Sequence, residues 1–386
     1  MPVECITDLY MNDTDEIRSA LKRYRRQART APDSVPIDLV LDALECPEPS
    51  VQERAITVLY VLSKTNPDRL NDDIPQVADL LENDRSTVRT KATLTLSNVA
   101  EESPTVVKPH VDDVIERLDD RSSSTRRTAI ETVRRISDAD PSAVVRAVPQ
   151  MAQLLSADTE ETRRDAAVVL ETLSIDHPDA VFGSIESLVA LLQDPYRTPT
   201  DLNYRSTAAA DRSRAAAQTR GYRSLVSDAT GQESNVRARE AAARVIAKLA
   251  RADPPAATEL LEPHLPRLFD RLEDANPAIR ASVASSLAYV AQERPEAVRP
   301  AEEPLIEMLD GPIAVSSAAI WALRYVDTNR SREALEKTAD RADAPLAVQK
   351  TARTALDDDD DDIDSRVVPS HCTEPNGKRE SDRHPK

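Results

Sequence analysis

A proline recurs at a fixed step. Pro67, Pro104, Pro141 and Pro178 stand 37 residues apart, each closing a similar segment such as KATLTLSNVAEESP or DAAVVLETLSIDHP. Pro254 and Pro295 end equivalent segments farther on. Twenty-three residues before Pro67, Pro104, Pro141, Pro178 and Pro295 lie Leu44, Leu81, Leu118, Leu155 and Leu272, and the same 37-residue step adds Leu192 and Leu309. Twelve residues before the prolines lie Ala55, Ala92, Ala129, Ala166 and Ala242, with Val283 in the sixth unit. Eight residues before them lie Leu59, Leu96, Val133, Leu170, Ile246 and Leu287. A period of this length means that one supersecondary unit is copied along the chain, which decides the architecture before any single element is considered.

Within a unit the apolar residues fall at helical spacing. Val114, Ile115 and Leu118 mark a first helix, and Ala129, Val133 and Ile136 a second. Each unit is therefore a helical hairpin. The small residue of the Ala column suits a close approach of two helix backbones, and the Leu columns fill the space between hairpins. Composition agrees, because only 5 of 386 residues are Gly and 3% are aromatic. Sheet folds spend glycine on turns and pack with aromatic and β-branched side chains. No G-x-G-x-x-G or G-x-x-x-x-G-K-[ST] occurs, so the commonest backbone cradles for nucleotide phosphates are missing.

Segments such as LLENDRSTVRTKATLTLSNVAEESP and LLSADTEETRRDAAVVLETLSIDHP carry Leu, an acidic turn, Val or Thr before Arg, then Ala and Leu. In this the chain resembles the HEAT-repeat family of armadillo-like α-solenoids, over residues 34 to 356. The expected fold is all-α, a stack of about eight HEAT-like hairpins, with residues 1–33 as an N-terminal capping helix. One hairpin cannot bury its apolar face alone, so neighbours must form a continuous core, with the second helices lining a concave surface. Arg89, Arg126, Arg163, Arg239 and Arg280 form a further column fifteen residues before the prolines, with Gln52 in the first unit. In the resembling family such an Arg meets turn acids of its own or a neighbouring repeat. An Arg recurring with the fold's period is expected to serve the fold.

The period fails once. Leu192 to Leu272 spans 80 residues where 37 would do, and residues 194–232 hold most of the excess. This insertion separates repeats over 34–193 from repeats over 233–356. It carries the pairs Tyr196-Arg197, Tyr204-Arg205 and Tyr222-Arg223, with Arg212, Arg214 and Arg220, in a chain of net charge -18. Tyrosine and arginine are enriched at binding hot spots and can stack on bases while meeting phosphates. The segment is either an arm that docks an acidic protein or nucleic acid, or a solvated loop with a transiently helical, Ala-rich middle.

A second basic patch is expected near the start. Arg18, Lys22, Arg25 and Arg29 form one helical stripe beside Arg23 and Arg26, while Ile17, Leu21, Tyr24 and Ala28 form the adjacent apolar stripe. This reads as a capping helix that buries Leu21 and Tyr24 and turns its charge to water. At the other end, Asp357 to Asp362, Ile363 and Asp364 open an acidic tail, residues 357–386, expected to be disordered.

Catalytic constellations are sparse. His110, His177, His264, His371 and His384 form no H-E-x-x-H and no His-Glu pair, and Cys5, Cys46 and Cys372 form no C-x-x-C. Trp321 reads as packing. No catalytic residue, cofactor or metal is expected. The leading expectation is a non-catalytic scaffold or adaptor with a protein partner, gripped on the concave face, the insertion, or both. Nucleic-acid association is the alternative, and a lyase or glycosylase like those of some HEAT-like enzymes is a remote third. No stretch approaches 18 apolar residues, so no membrane insertion is expected. The first residues lack a basic n-region and apolar core, which reads as cytoplasmic. Nine Lys against 41 Arg, with 68 acids, resembles the composition of proteins from salt-loving archaea.

Overall fold

The computed structural model describes residues 14–157, 159–193 and 217–357, of which 217–234 by their backbone alone. Every regular element among them is α or 3-10 helix. The chain divides into two compact units, Met1–Ser187 with Pro195–Ala241, and Leu188–Asp194 with Ala242–Lys386. Among the described residues the order of elements gives eight hairpins after an initial helix.

In the first unit the long helices are α1 (Thr14–Thr30), α2 (Pro49–Thr65), α3 (Ser86–Glu102), α4 (Ser123–Ala139) and α5 (Glu160–Asp176), each of 17 residues. Each of them packs on the next. The helix α6 (Ala217–Ala252) runs across residue 232, where the sequence places the end of the insertion. The second unit contains α7 (Pro277–Glu293), α8 (Ile313–Val326) and α9 (Leu346–Leu356).

The periodic prolines set the helix ends. The residue before a proline is driven out of the right-handed helical region by contact with the proline ring. Asn66 (φ -157°, ψ 77°), Ser103 (φ -136°, ψ 67°), Asp140 (φ -150°, ψ 91°) and His177 (φ -133°, ψ 52°) all obey. Asp253 (φ -146°) and Arg294 (φ -141°) do so in the second unit. The helix α8 has no such proline and stops at Asp327 in the left-handed region, φ 45°.

From Pro67 to Asp310 the first arm of each hairpin is a broken helix, where the periodicity implied a simple one; the last first arm, Asn329–Asp340, is continuous. Between Pro67 and Glu82 the chain runs as 3-10 helix, α-helix Ile74–Asp79, and 3-10 helix again. Six residues after the proline the backbone passes near ψ 0°, at Asp73, His110, Ala147 and Ala301. A proline stands close by in each case, at Pro75, Pro109, Pro149 and Pro300. Proline supplies no amide to the α-helical ladder, so the arm divides into short pieces there.

The columns are the core. Ala55, Ala92, Ala129, Ala166 and Ala242 are wholly buried, as are Leu59, Leu96, Val133, Leu170 and Leu287. Leu81, Leu118 and Leu192 are equally closed to solvent. Threonines also lie inside the second helices, and their hydroxyls donate back along the helix, Thr93 to the Arg89 carbonyl and Thr132 to the Thr128 carbonyl at 2.8 Å each. That return bond makes a buried hydroxyl tolerable.

Candidate interaction face

The Arg column lies along the turns between arms. Arg89 Nη1 donates to the carbonyls of Asn83 (2.7 Å) and Asp84 (2.9 Å), and Arg126 Nη1 to that of Asp120 (2.6 Å). Arg163 Nη1 reaches the Ala157 carbonyl at 2.7 Å and Arg280 Nη1 the Asp274 carbonyl at 2.6 Å. Each of these guanidinium groups thus closes the turn that precedes its own helix. Arg239 is buried.

Arg89 does more. Its Nε and Nη2 donate to both oxygens of Asp120 in the next repeat, at 2.6 and 3.0 Å. Asp120 also accepts from the Ser122 amide at 2.8 Å. Burial alone would raise the Asp120 carboxyl, but the Arg89 bond, the Ser122 amide and the charges of Arg89 and Arg117 outweigh it, leaving the group below the usual carboxylate range. Arg89 is pushed up by the same bond. The column is thereby built into the fold.

The N-terminal helix holds a place in the repeat. Pro32 lies 35 residues before Pro67, and Ala31 before it is outside the helical region at φ -150°, ψ 67°. The Thr65 hydroxyl at the end of α2 donates to the Ala28 carbonyl at 2.7 Å. Helix α1 is therefore the second arm of a preceding half-repeat, and it packs on α2 with its own Leu21 and Ala28 buried. Tyr24 departs from expectation. It is half-buried, with the Arg23 guanidinium 5.2 Å above its ring.

Counting back from Pro32 puts Lys22, Arg25 and Arg29 ten, seven and three residues before it. Those positions carry Thr57, Tyr60 and Lys64 on α2, Glu131, Arg134 and Asp138 on α4, and Val168, Glu171 and Ile175 on α5. They mark the outward face of the second helices, and its charge is arranged unevenly. On α4, Arg135 pairs with Glu131 (2.9 Å) and Glu101 (3.1 Å), and Arg134 with Asp138 (2.9 Å). On α1, Arg18 is held by Asp15 (2.8 Å), Glu48 (3.3 Å) and Ser50 (2.9 Å). Lys22, Arg25 and Arg29 are exposed and make no hydrogen bond or ion pair among the described residues.

Of the other sequence candidates, Tyr196, Arg197, Tyr204, Arg205, Arg212 and Arg214 lie outside the described residues, as does the acidic block from 358 onward. Arg220, Tyr222 and Arg223 lie on the backbone of α6. His110 sits at a break of a first arm with Nδ1 3.7 Å from Asp113, and Cys46 is half-buried in a turn. Trp321 is buried. Among the described residues no group of His, Cys, Asp and Glu is placed to hold a metal, and no helix is long and apolar enough to cross a membrane.

No family model matches the chain, and no curated protein matches it in sequence. Among solved structures it is similar to an engineered protein from a structural genomics consortium, with 20% identity, a TM-score of 0.51, and coverage of 89% of this chain and 96% of that one. A computationally designed armadillo repeat protein for modular peptide recognition overlaps at a TM-score of 0.47 and 17% identity, covering 73% of this chain and 98% of that one. The first likeness concerns the fold. The chain is an all-α solenoid of helical hairpins, the fold that its HEAT-like pattern implied.

Proposed function

We propose that this protein is a non-catalytic interaction scaffold that binds a protein partner on the outward face of its second helices, with the Tyr/Arg-rich insertion as a further docking element. One observation carries the reading. Within the first unit the buried columns repeat Ala and Leu from hairpin to hairpin, while the position ten residues before the proline changes chemistry at every step: Lys22, Thr57, Leu94, Glu131, Val168. Lys22 is exposed and the other four are half-buried, so each reaches the surface. A fold that fixes its interior and varies one face presents a row of different side chains on rigid helices. That arrangement suits a partner read residue by residue.

The experiment is affinity purification from native extract with nuclease, comparing wild type with a chain lacking residues 196–226. The scaffold reading expects one protein, in fixed ratio, to survive nuclease treatment. Loss of that partner in the deletion, with cooperative unfolding of the remaining helices at an unchanged midpoint, assigns docking to the insertion; retention assigns it to the helix face. Release of all bound material by nuclease would overturn the reading in favour of nucleic acid.

A further inference from the structure

Three observations converge on the N-terminal end of the second-helix face. First, Lys22, Arg25 and Arg29 are exposed and without hydrogen bonds or ion pairs among the described residues, whereas cations of the outward face of α4 pair with acids of their own or the adjoining helix. A chain with 68 acids and 50 bases has carboxylates to spare, so a row of unmet cations is a local departure from its own composition. Secondly, the row continues beyond α1. Lys64 on α2 lies over the Tyr60 ring at 4.7 Å, and Lys91 on α3 reaches back to donate to the Thr57 hydroxyl. Thirdly, burial holds the Lys91 ammonium below its ordinary range; the charge of Glu53 opposes this, and the smaller effect of the Arg25 charge adds to it.

Glu53, the acid beside Lys91, already pairs with Arg85 at 3.3 Å, so the cations gathered here keep an electrostatic cost that an incoming anion lowers. The spacing suits an extended chain, because Lys22, Arg25 and Arg29 run along one helix at successive turns while Lys64 and Lys91 flank it on the following helices. Tyr60 adds an aromatic surface. We propose that this end of the face is the docking site for a carboxylate-rich, extended peptide segment of a partner protein, held by Lys22, Arg25, Arg29, Lys64 and Lys91. The inference rests on the scaffold reading and gives it a partner chemistry. The site is polar and exposed, so its affinity is salt-sensitive and its contribution is to orientation and association rate.

The test uses the full chain and a fluorescein-labelled decapeptide of alternating Asp and Glu, followed by fluorescence anisotropy. Wild type is expected to bind saturably at about 50 mM salt, where screening is weak, and less tightly as salt rises. The variant K22E/R25E/R29E is expected to bind about tenfold more weakly. The control R267E/K337E/K350E changes net charge equally at exposed positions elsewhere and is expected to bind like wild type. Lys91→Met is expected to weaken binding about threefold, through a side chain that α1 does not carry.

Equal loss in the control and test variants would mean that only net charge matters, and would overturn the site. So would no saturation at millimolar protein. Tighter binding of a ten-nucleotide single strand than of the peptide would assign the patch to nucleic acid instead. Failure here with continued capture of a protein partner removes this inference and leaves the scaffold reading; failure of both removes both.

Discussion

At the scale of single residues, the pairing of Arg89 with Asp120 ties one repeat to the next, and it is the interaction whose loss is easiest to interpret. Asp120 has 3% side-chain exposure and Arg89 12%. Removing one member leaves the other charge buried, so Asp120→Ala is expected to cost about 3 kcal/mol by denaturant unfolding. Asp120→Asn keeps the shape and isolates the charge. Because the folded carboxyl lies below its ordinary value, its contribution is present above the unfolded value near pH 4 and is lost as pH falls through the folded one. The stability gap between wild type and Asp120→Asn is therefore expected to narrow below about pH 4. A gap unchanged from pH 7 to pH 3 would mean that the carboxylate charge has no role in the pairing. The Arg column is legible in the sequence as a column, since its recurrence sets it apart from scattered surface arginines. Its carbonyl partners are not, because a backbone acceptor leaves no mark in a sequence.

At the scale of elements, the hairpin is readable because its cues are periodic: helical spacing inside, proline at the ends. The broken first arm is harder to read. Its cause is in view at Pro75, Pro109 and Pro149, but a proline near the front of an apolar pattern looks the same as helix-start punctuation. The apolar stripe of α1 marks Leu21 as buried correctly and misplaces Tyr24, since Arg23 lies over that ring at the surface. Membership of α1 in the repeat is hidden by a spacing of 35 residues to Pro67, two short of the period. The columns make packing testable. Leu96→Ala removes a wholly buried side chain and is expected to cost about 3 kcal/mol, within the range for such truncations. Ala129→Leu overfills a closed helix contact and is expected to cost about 2 kcal/mol. Urea midpoints at constant m-value measure both; a neutral Ala129→Leu would show that the Ala column is not a close contact.

At the scale of the whole molecule, a repeat protein derives its stability from each unit and its nearest neighbours. The interior is therefore conservative, and identity resides in what the repeated face displays. The charge distribution acts at this scale too: a net -18 discourages bulk contact with nucleic acid, while the unpaired cations of α1 break that pattern at one end. The stripe is visible in the sequence, but only the fold shows that it shares a face with Lys64 and Lys91. The likeness to an engineered repeat protein at 20% identity concerns architecture, and the partner must come from chemistry on the face. The most direct measurement is site-specific photo-crosslinking in native extract, with a photoreactive residue in place of Leu94 on the outward face of α3, or of exposed Asp79 on the first arm of the same hairpin. The scaffold account expects a single nuclease-resistant protein adduct from position 94 and none from position 79. Adducts from position 79 alone, or equal adducts from both, would contradict it.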